Sequence, residues 1–218
     1  MGPLKDIKIF DLTRVLAGPH CTQILGDLGA DIIKVERVEN GDDTRKFAPP
    51  FMKDENGKDT DQSAYFSGTN RNKRSITLNL NSPEGQYIAK QLIAKSDILV
   101  ENFKVGTLEK YGLDYDTLKN EFPSLIYCSI TGFGQTGPYS KRPAYDALVQ
   151  AMGGVMSLTG DAKGEPMKVG VSIADLMAGM YGTVSILAAL RHRDKTNEGQ
   201  HLDISMLDAH VAWLANQG

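Results

Sequence analysis

The chain has 218 residues, a formal net charge of −3 and a hydrophobic fraction of 41%. This length allows one large α/β domain, or one domain and the start of another, and the composition supports a packed core over disorder. The mild negative charge excludes the molecule as a whole from electrostatic binding of nucleic acid, though local basic clusters can still hold a small anion.

Cys21 and Cys128 stand alone, and His20, His192, His201 and His210 fall in no ligand spacing, so no metal is expected and the two thiols read as reduced and buried. No apolar run approaches the ~20 residues that span a bilayer, and the start, Met1-Gly2-Pro3-Leu4-Lys5-Asp6, has no signal core. No membrane partner is expected, and the location expected is the cytoplasm or the mitochondrial matrix.

In chain order, Ile7 to Leu12 predicts a strand, and Gly18-Pro19 opens a helix from His20 to Leu28 that Gly29 closes. Ile32 to Val38 is a second strand. Strand, helix and strand joined by short connections signal a parallel sheet. Asn40 to Asp61 is polar and reads as an exposed excursion. Ser75 to Leu80 is a strand, and Ser82-Pro83-Glu84 caps a helix running to about Lys95. Asp97 to Asn102 and Leu125 to Thr131 are strands, with short helices at Leu108 to Tyr111 and Tyr115 to Glu121 between them. Gly132 to Pro138 is a glycine-rich loop.

Ala174 to Arg193 is the longest predicted helix. Ala174, Ala178 and Gly182 make a small-residue stripe, Leu176, Met180, Val184 and Leu187 give an apolar side, and core packing is the expected role. His201 to Ser205 is a candidate last strand with a helix after it. The fold expected is α/β, a Rossmann-like parallel-rich sheet, with residues 1–195 as the large domain and 196–218 starting a connection toward a second domain. The G-x-G-x-x-G fingerprint is missing after the first strand, which argues against a nicotinamide enzyme.

Four segments together carry a resemblance: Asp11 to Pro19 (DLTRVLAGP); Leu28 to Arg37 (LGADIIKVER) with Gly41-Asp42; Asn70 to Ser75 (NRNKRS) with Asp97 to Phe103; and Gly132 to Pro138 (GFGQTGP) with Tyr145-Asp146 and Ala174-Asp175-Leu176. In this order the chain resembles the N-terminal half of a family III coenzyme A transferase, nearest the branch that moves coenzyme A between dicarboxylates such as succinate and glutarate. The resemblance implies acyl-CoA and carboxylate substrates, no metal, and an interlocked homodimer for the full-length protein. It also implies that the C-terminal half, with a glycine-rich loop that closes over the reacting Asp, is missing here, so that the fragment alone would turn over little.

The resemblance makes Asp175 the carboxylate nucleophile, at the head of a helix whose N-terminus favours its ionised form. On pattern alone Asp175 reads as a plain helix cap, and it is the resemblance that makes it the nucleophile. Arg37, Asn72, Lys73 and Arg74 match positions that hold the nucleotide end of coenzyme A, and Arg and Lys suit phosphate. A solvated turn is the other reading of residues 71–74. Asn102, Phe103 and Lys110 match further cofactor contacts, Lys110 standing where some members carry Arg. Val15, Leu16 and Ala17 are expected against the pantetheine arm. Arg14 and Arg45 are candidates for the far carboxylate of a diacid, or structural ion pairs.

Acyl-CoA racemases share the fold, but their proton-transferring His falls at Tyr145, and a phenol with a reference pKa near ~10 serves that step poorly at neutral pH. Tyr145 is therefore placed with the cofactor contacts. A serine hydrolase built on Ser172, Asp203 and His210 lacks the second elbow glycine, since Ala174 stands there. An inactive fragment that only binds coenzyme A is the remaining alternative.

Overall fold

The computed structural model describes residues 2–217. Its centre is a six-stranded sheet formed by β1 (Lys8–Asp11), β2 (Asp31–Glu36), β5 (Lys73–Thr77), β6 (Ile98–Glu101), β7 (Ile126–Thr131) and β8 (His201–Ser205). The spatial order is β5-β2-β1-β6-β7-β8, and every pairing is parallel. The predicted strands all form, and the Rossmann-like expectation holds. The stretch expected to begin a connection supplies β8, which pairs with β7 from Tyr127↔His201 to Thr131↔Ser205.

Alternation along the central strands builds two cores. Ile9, Ile98, Val100, Ile126, Cys128 and Ile130 face a layer with α1 (Ala17–Asp27) and α6 (Ile173–Thr196). Phe10, Leu99 and Tyr127 face the other layer, with α3 (Pro83–Ile93) and α4 (Tyr115–Glu121). Both α3 and α4 start on side-chain caps, Ser82 accepting from Gly85 N–H at 3.1 Å and Asp114 from Thr117 N–H at 3.1 Å.

Helix α6 is long and apolar enough to cross a membrane by length and composition, which the sequence reading did not anticipate. It is the central helix of its layer. Its small-residue side turns inward, with Ala174, Ala178, Gly179 and Gly182 buried. A Cβ at Gly179 would meet the Ala17 carbonyl oxygen at 2.7 Å, so the close crossing with α1 needs the missing side chain. The larger apolar side is not core, contrary to expectation. Met180, Val184 and Leu187 are exposed, because the tight crossing admits only small residues.

The excursion carries more structure than its polarity suggested: a hairpin of β3 (Phe51–Lys53) and β4 (Asp59–Ser63), then α2 (Ala64–Asn70). The sequence reading also passed over α5 (Asp146–Met152). The helix after β8 is α7 (Met206–Val211), packed beside α5 and α6. The chain leaves β1 toward β2 on one side and returns to β6 on the other. The crevice at the carboxyl ends of β1 and β6 is thus the switch point at which such sheets bind ligands.

Candidate active site

The loop that leaves β1 at this switch point is clamped through its backbone. Thr13 donates from its N–H and its hydroxyl to Asp11 at 2.8 and 2.5 Å, and its carbonyl accepts from Lys34 at 2.8 Å. The Asn102 carboxamide accepts from Arg14 N–H at 2.9 Å and donates to the Arg14 carbonyl at 2.7 Å. Val15 N–H reaches Asp42 at 3.4 Å, and the Ala17 amide faces Asp175. This clamping holds Val15 at φ 68°, a left-handed conformation that a β-branched residue adopts only under constraint.

The clamp stands on buried charge. Lys73 meets Asp11 at 3.1 Å and Lys34 meets Asp42 at 2.9 Å, with all four side chains 0–1% exposed. Burial pulls the Lys73 ammonium down to about 8 although Asp11 opposes it. Burial acts to raise Asp11, but Lys73, Lys34 and two threonine hydroxyls outweigh it and hold the carboxyl below its usual range.

Asp175 lies in the first turn of α6, as expected, but not as its cap. Asp146, from the start of α5, accepts from Ala174 N–H at 2.9 Å and so takes the anion position at that helix end. Burial pushes the Asp175 carboxyl up, Asp146 pushes it further, and the Ala17 amide only partly opposes them, leaving it at about 7. The expectation that the helix end keeps Asp175 ionised is corrected accordingly. Tyr65 on α2 faces the same carboxylates; burial first, then Asp175, Asp42 and Asp146, push its phenol up to about 12.

Two cavities meet at the loop, both lined by Arg14 and Phe103. The smaller, of about 240 Å³, brings together Val15, Leu16, Ala17, Asn102, Phe103, Tyr145 and Asp175. The larger, of about 520 Å³, runs over the ends of β1, β2 and β5 past Arg37, Leu78, Asn79, Leu80, Asn81 and Tyr111.

Asn72, Lys73 and Arg74 line neither cavity. β5 begins at Lys73, so the backbone of these residues sits toward the amino end of the sheet, and only the Lys73 ammonium reaches forward to Asp11. In the β2–β5 register Arg74 pairs with Ile33, and Arg37 lies four residues further along, about 13 Å at the usual strand rise. Arg74 bonds Asp31 at 2.7 Å, Asn72 bonds Asp27, and Lys73 is committed to Asp11. The structure therefore does not bring Arg74 to Arg37. Lys110 is exposed on the turn that carries Tyr111 and is not itself part of the lining.

Arg45 grips Glu36 through two bonds of 2.8 Å and lies 3.7 Å over the Phe66 ring, the structural alternative of its two readings. Ser172, Asp203 and His210 form no triad: Asp203 accepts from Gln135 N–H at 2.9 Å, and His210 is sealed against Gly153. The reading of residues 72–74 applied the strand-end rule to Asn102 and not to β5. Carried through, the rule points to residues 78–81.

Comparison with known proteins decides the family. The pattern of CoA-transferase family III matches residues 4–218. The chain belongs to CoA-transferase family III. It is 51% identical over 215 residues to a succinate–glutarate CoA-transferase of Agrobacterium fabrum, covering 99% of this chain and 54% of the relative. A human succinyl-CoA:glutarate CoA-transferase is 47% identical over 98% of this chain and 47% of its own length. Among solved structures, a CAIB/BAIF family protein from Brucella suis superposes with a TM-score of 0.94 at 50% identity, over 99% of this chain and 56% of that one. The chain spans about half the length of the curated relatives it matches. Within this family III chain, the smaller cavity is lined mainly from the loops after β1, β6 and β7, with Asp43 from after β2 and with Asp175 and Met206 from the starts of α6 and α7.

Proposed function

We propose that this family III chain forms the coenzyme A-binding half of a transferase that moves coenzyme A from an acyl-CoA to a dicarboxylate, with Asp175 as nucleophile. The observation that carries the reading is that two cavities share Arg14 and Phe103 in their walls, one lined by the half-buried Asp175 and the other by Arg37 and strand-end amides. A long ligand with a polyanionic head and a reactive thioester tail needs both.

The chemistry follows from the carboxylate. An Asp175 oxygen attacks the thioester carbonyl; the C–S bond breaks, the CoA thiolate leaves and a mixed anhydride remains. The thiolate then attacks the aspartyl carbonyl, the anhydride C–O bond breaks and the first acid leaves as its carboxylate. An aspartyl-CoA thioester is left, and a second acid reverses both steps. Val15, Leu16 and Ala17 lie along the thioester end, and Arg37 serves the phosphates. Lys110 would join Arg37 by swinging over the rim of the cleft.

The relatives are named for succinate, glutarate and mesaconate, all diacids. Arg14 suits the far carboxylate, since its side chain is 40% exposed and meets Asp43 only at 3.4 Å. The exposed apolar side of α6, with Trp213 nearby in sequence beyond α7, is proposed to be covered by the second half of the protein or by a partner copy in a homodimer.

The test uses the protein that carries this chain together with its second half. Incubation with succinyl-CoA and then hydroxylamine should leave a hydroxamate on the Asp175 peptide. A label on Ser172, or none in an enzyme that turns over, would overturn the mechanism. The 218-residue chain alone should show little transfer.

A further inference from the structure

Asp146 lies beside the proposed nucleophile at the start of α6, and the chemistry above gives it no role. It opens α5, a helix with no side-chain cap of its own. One of its carboxylate oxygens accepts from Ala174 N–H at 2.9 Å, next to Asp175 in the chain. The other accepts from Gln150 at 2.6 Å. Gln150 is fully buried and holds the approach to α6 at two further points, accepting from Val169 N–H at 2.7 Å and donating to the Val171 carbonyl at 3.2 Å. Asp146 and Gln150 thus form a bracket between α5 and the irregular segment that leads into α6. The position of Asp175 depends on it.

The bracket is also anionic, and no cation balances it. Among the described residues no ion pair includes Asp146 or Asp175. From α7, His210 is buried behind Asp146 with both ring nitrogens unpartnered, and burial holds it below its usual range although Asp146 opposes this. From α2, Tyr65 presents a phenol that stays protonated. Across the cavity Arg14 is shared with Asp43, while Lys104 and Arg142 are exposed to solvent. At the start of α6 the Ala174 amide is already taken by Asp146.

We propose that Asp146 is a positioning carboxylate for the transfer: it fixes the first turn of α6 and sets a second negative charge beside Asp175, so that acylation of Asp175 relieves a repulsion. This inference rests on Asp175 being the nucleophile. When the thioester forms, the negative charge departs with the released acid, and a neutral aspartyl-CoA faces Asp146. The free carboxylate is destabilised relative to the covalent intermediate. After burial, the same repulsion is the second cause of the upward shift of the Asp175 carboxyl.

The test is Asp146→Asn, again in the protein with its second half. Asparagine keeps an oxygen for the Ala174 amide and removes the charge. The acid limb of kcat/KM should move down by about one pH unit, and the equilibrium yield of trapped aspartyl thioester should fall about tenfold. Asp146→Ala, which loses the bracket too, should show the same shift together with a lower plateau. An acid limb that stays in place in Asp146→Asn, with an unchanged thioester yield, would overturn the proposal and leave Asp146 a plain cap. A wild type that forms no hydroxamate at Asp175 would instead remove the nucleophile on which the inference rests.

Discussion

Asp11 and Asp42 meet Lys73 and Lys34 at 3.1 and 2.9 Å beneath the start of the β1–α1 loop, whereas Asp175, at the loop's far end, faces Asp146. The first region is fully buried and the second half-buried, and both border the same loop. In the first, each charge has an opposite partner, and the carboxyls sit below their usual range. In the second, a carboxyl has only amide donors and a like charge, and it sits near 7. The comparison separates two uses of buried charge. Paired ions fix the backbone of the loop, and the carboxyl without a cation is the one proposed above as the nucleophile.

The largest effect should come from breaking the second region at its centre. Asp175→Asn keeps the size of the side chain and can still present an oxygen to the Ala17 amide, but it supplies no anionic oxygen. Turnover in the protein with its second half should fall by at least about 10³-fold, because the covalent route is closed. Binding of coenzyme A, read by calorimetry, should stay within a few-fold of wild type. Near-normal turnover would show that Asp175 belongs to the structure and not to the chemistry.

Breaking the first region should cost stability instead. Lys73→Met leaves Asp11 buried with one cation fewer, and removing one partner of such a pair costs about 3–5 kcal/mol. Urea unfolding should show that loss. The double variant Asp11→Asn, Lys73→Met should recover part of it, since no unpaired charge remains. A single variant as stable as wild type would mean that Lys34 alone balances Asp11.

Glu101, on β6, sharpens the comparison from a third position. Its buried carboxylate accepts from Phe103 N–H at 2.7 Å and from Ser129 but has no cation, and burial pushes it up to about 7. A carboxyl raised on folding binds its proton more tightly in the native state. Its contribution to stability is therefore full below the unfolded pKa near ~4.3, declines as pH rises, and is lost above about 7. Asp175 acts in the same direction. Stability should fall between pH 5 and pH 7.5, by up to roughly 3 kcal/mol for each group. Glu101→Gln should flatten its share of that slope. An unchanged slope would mean that solvent reaches Glu101.

The sheet was legible in the sequence because each of its strands is a short β-rich run bounded by turn residues, from Ile7–Leu12 to His201–Ser205. α5 was not. Its seven residues are too few to show a helical period, and Tyr145 before it provides no cap. Asp175 stood out through the family resemblance, but its electrostatics did not. They depend on Asp146, 29 positions earlier, and on burial that only the packing of α5 against α6 creates. Residues 72–74 look like a phosphate cluster in one dimension. Only the parallel register shows which end of β5 they occupy.

Arg74 gives the smallest effect and the most direct check of that register. Its bond to Asp31 at 2.7 Å joins side chains 65% and 44% exposed, and pairs of this kind contribute about 0–1 kcal/mol. Arg74→Ala should therefore shift the urea midpoint slightly and leave coenzyme A affinity within about twofold, since solvent and salt already screen its charge at that distance. Arg37→Ala should weaken coenzyme A clearly and reduce the salt dependence of binding, because Arg37 lines the larger cavity. Measured together, by titration at low and moderate salt, the two variants compare the two ends of the sheet directly. If Arg74→Ala weakens binding as much as Arg37→Ala, the nucleotide does not lie over the carboxyl ends of the strands, and the larger cavity is not its site.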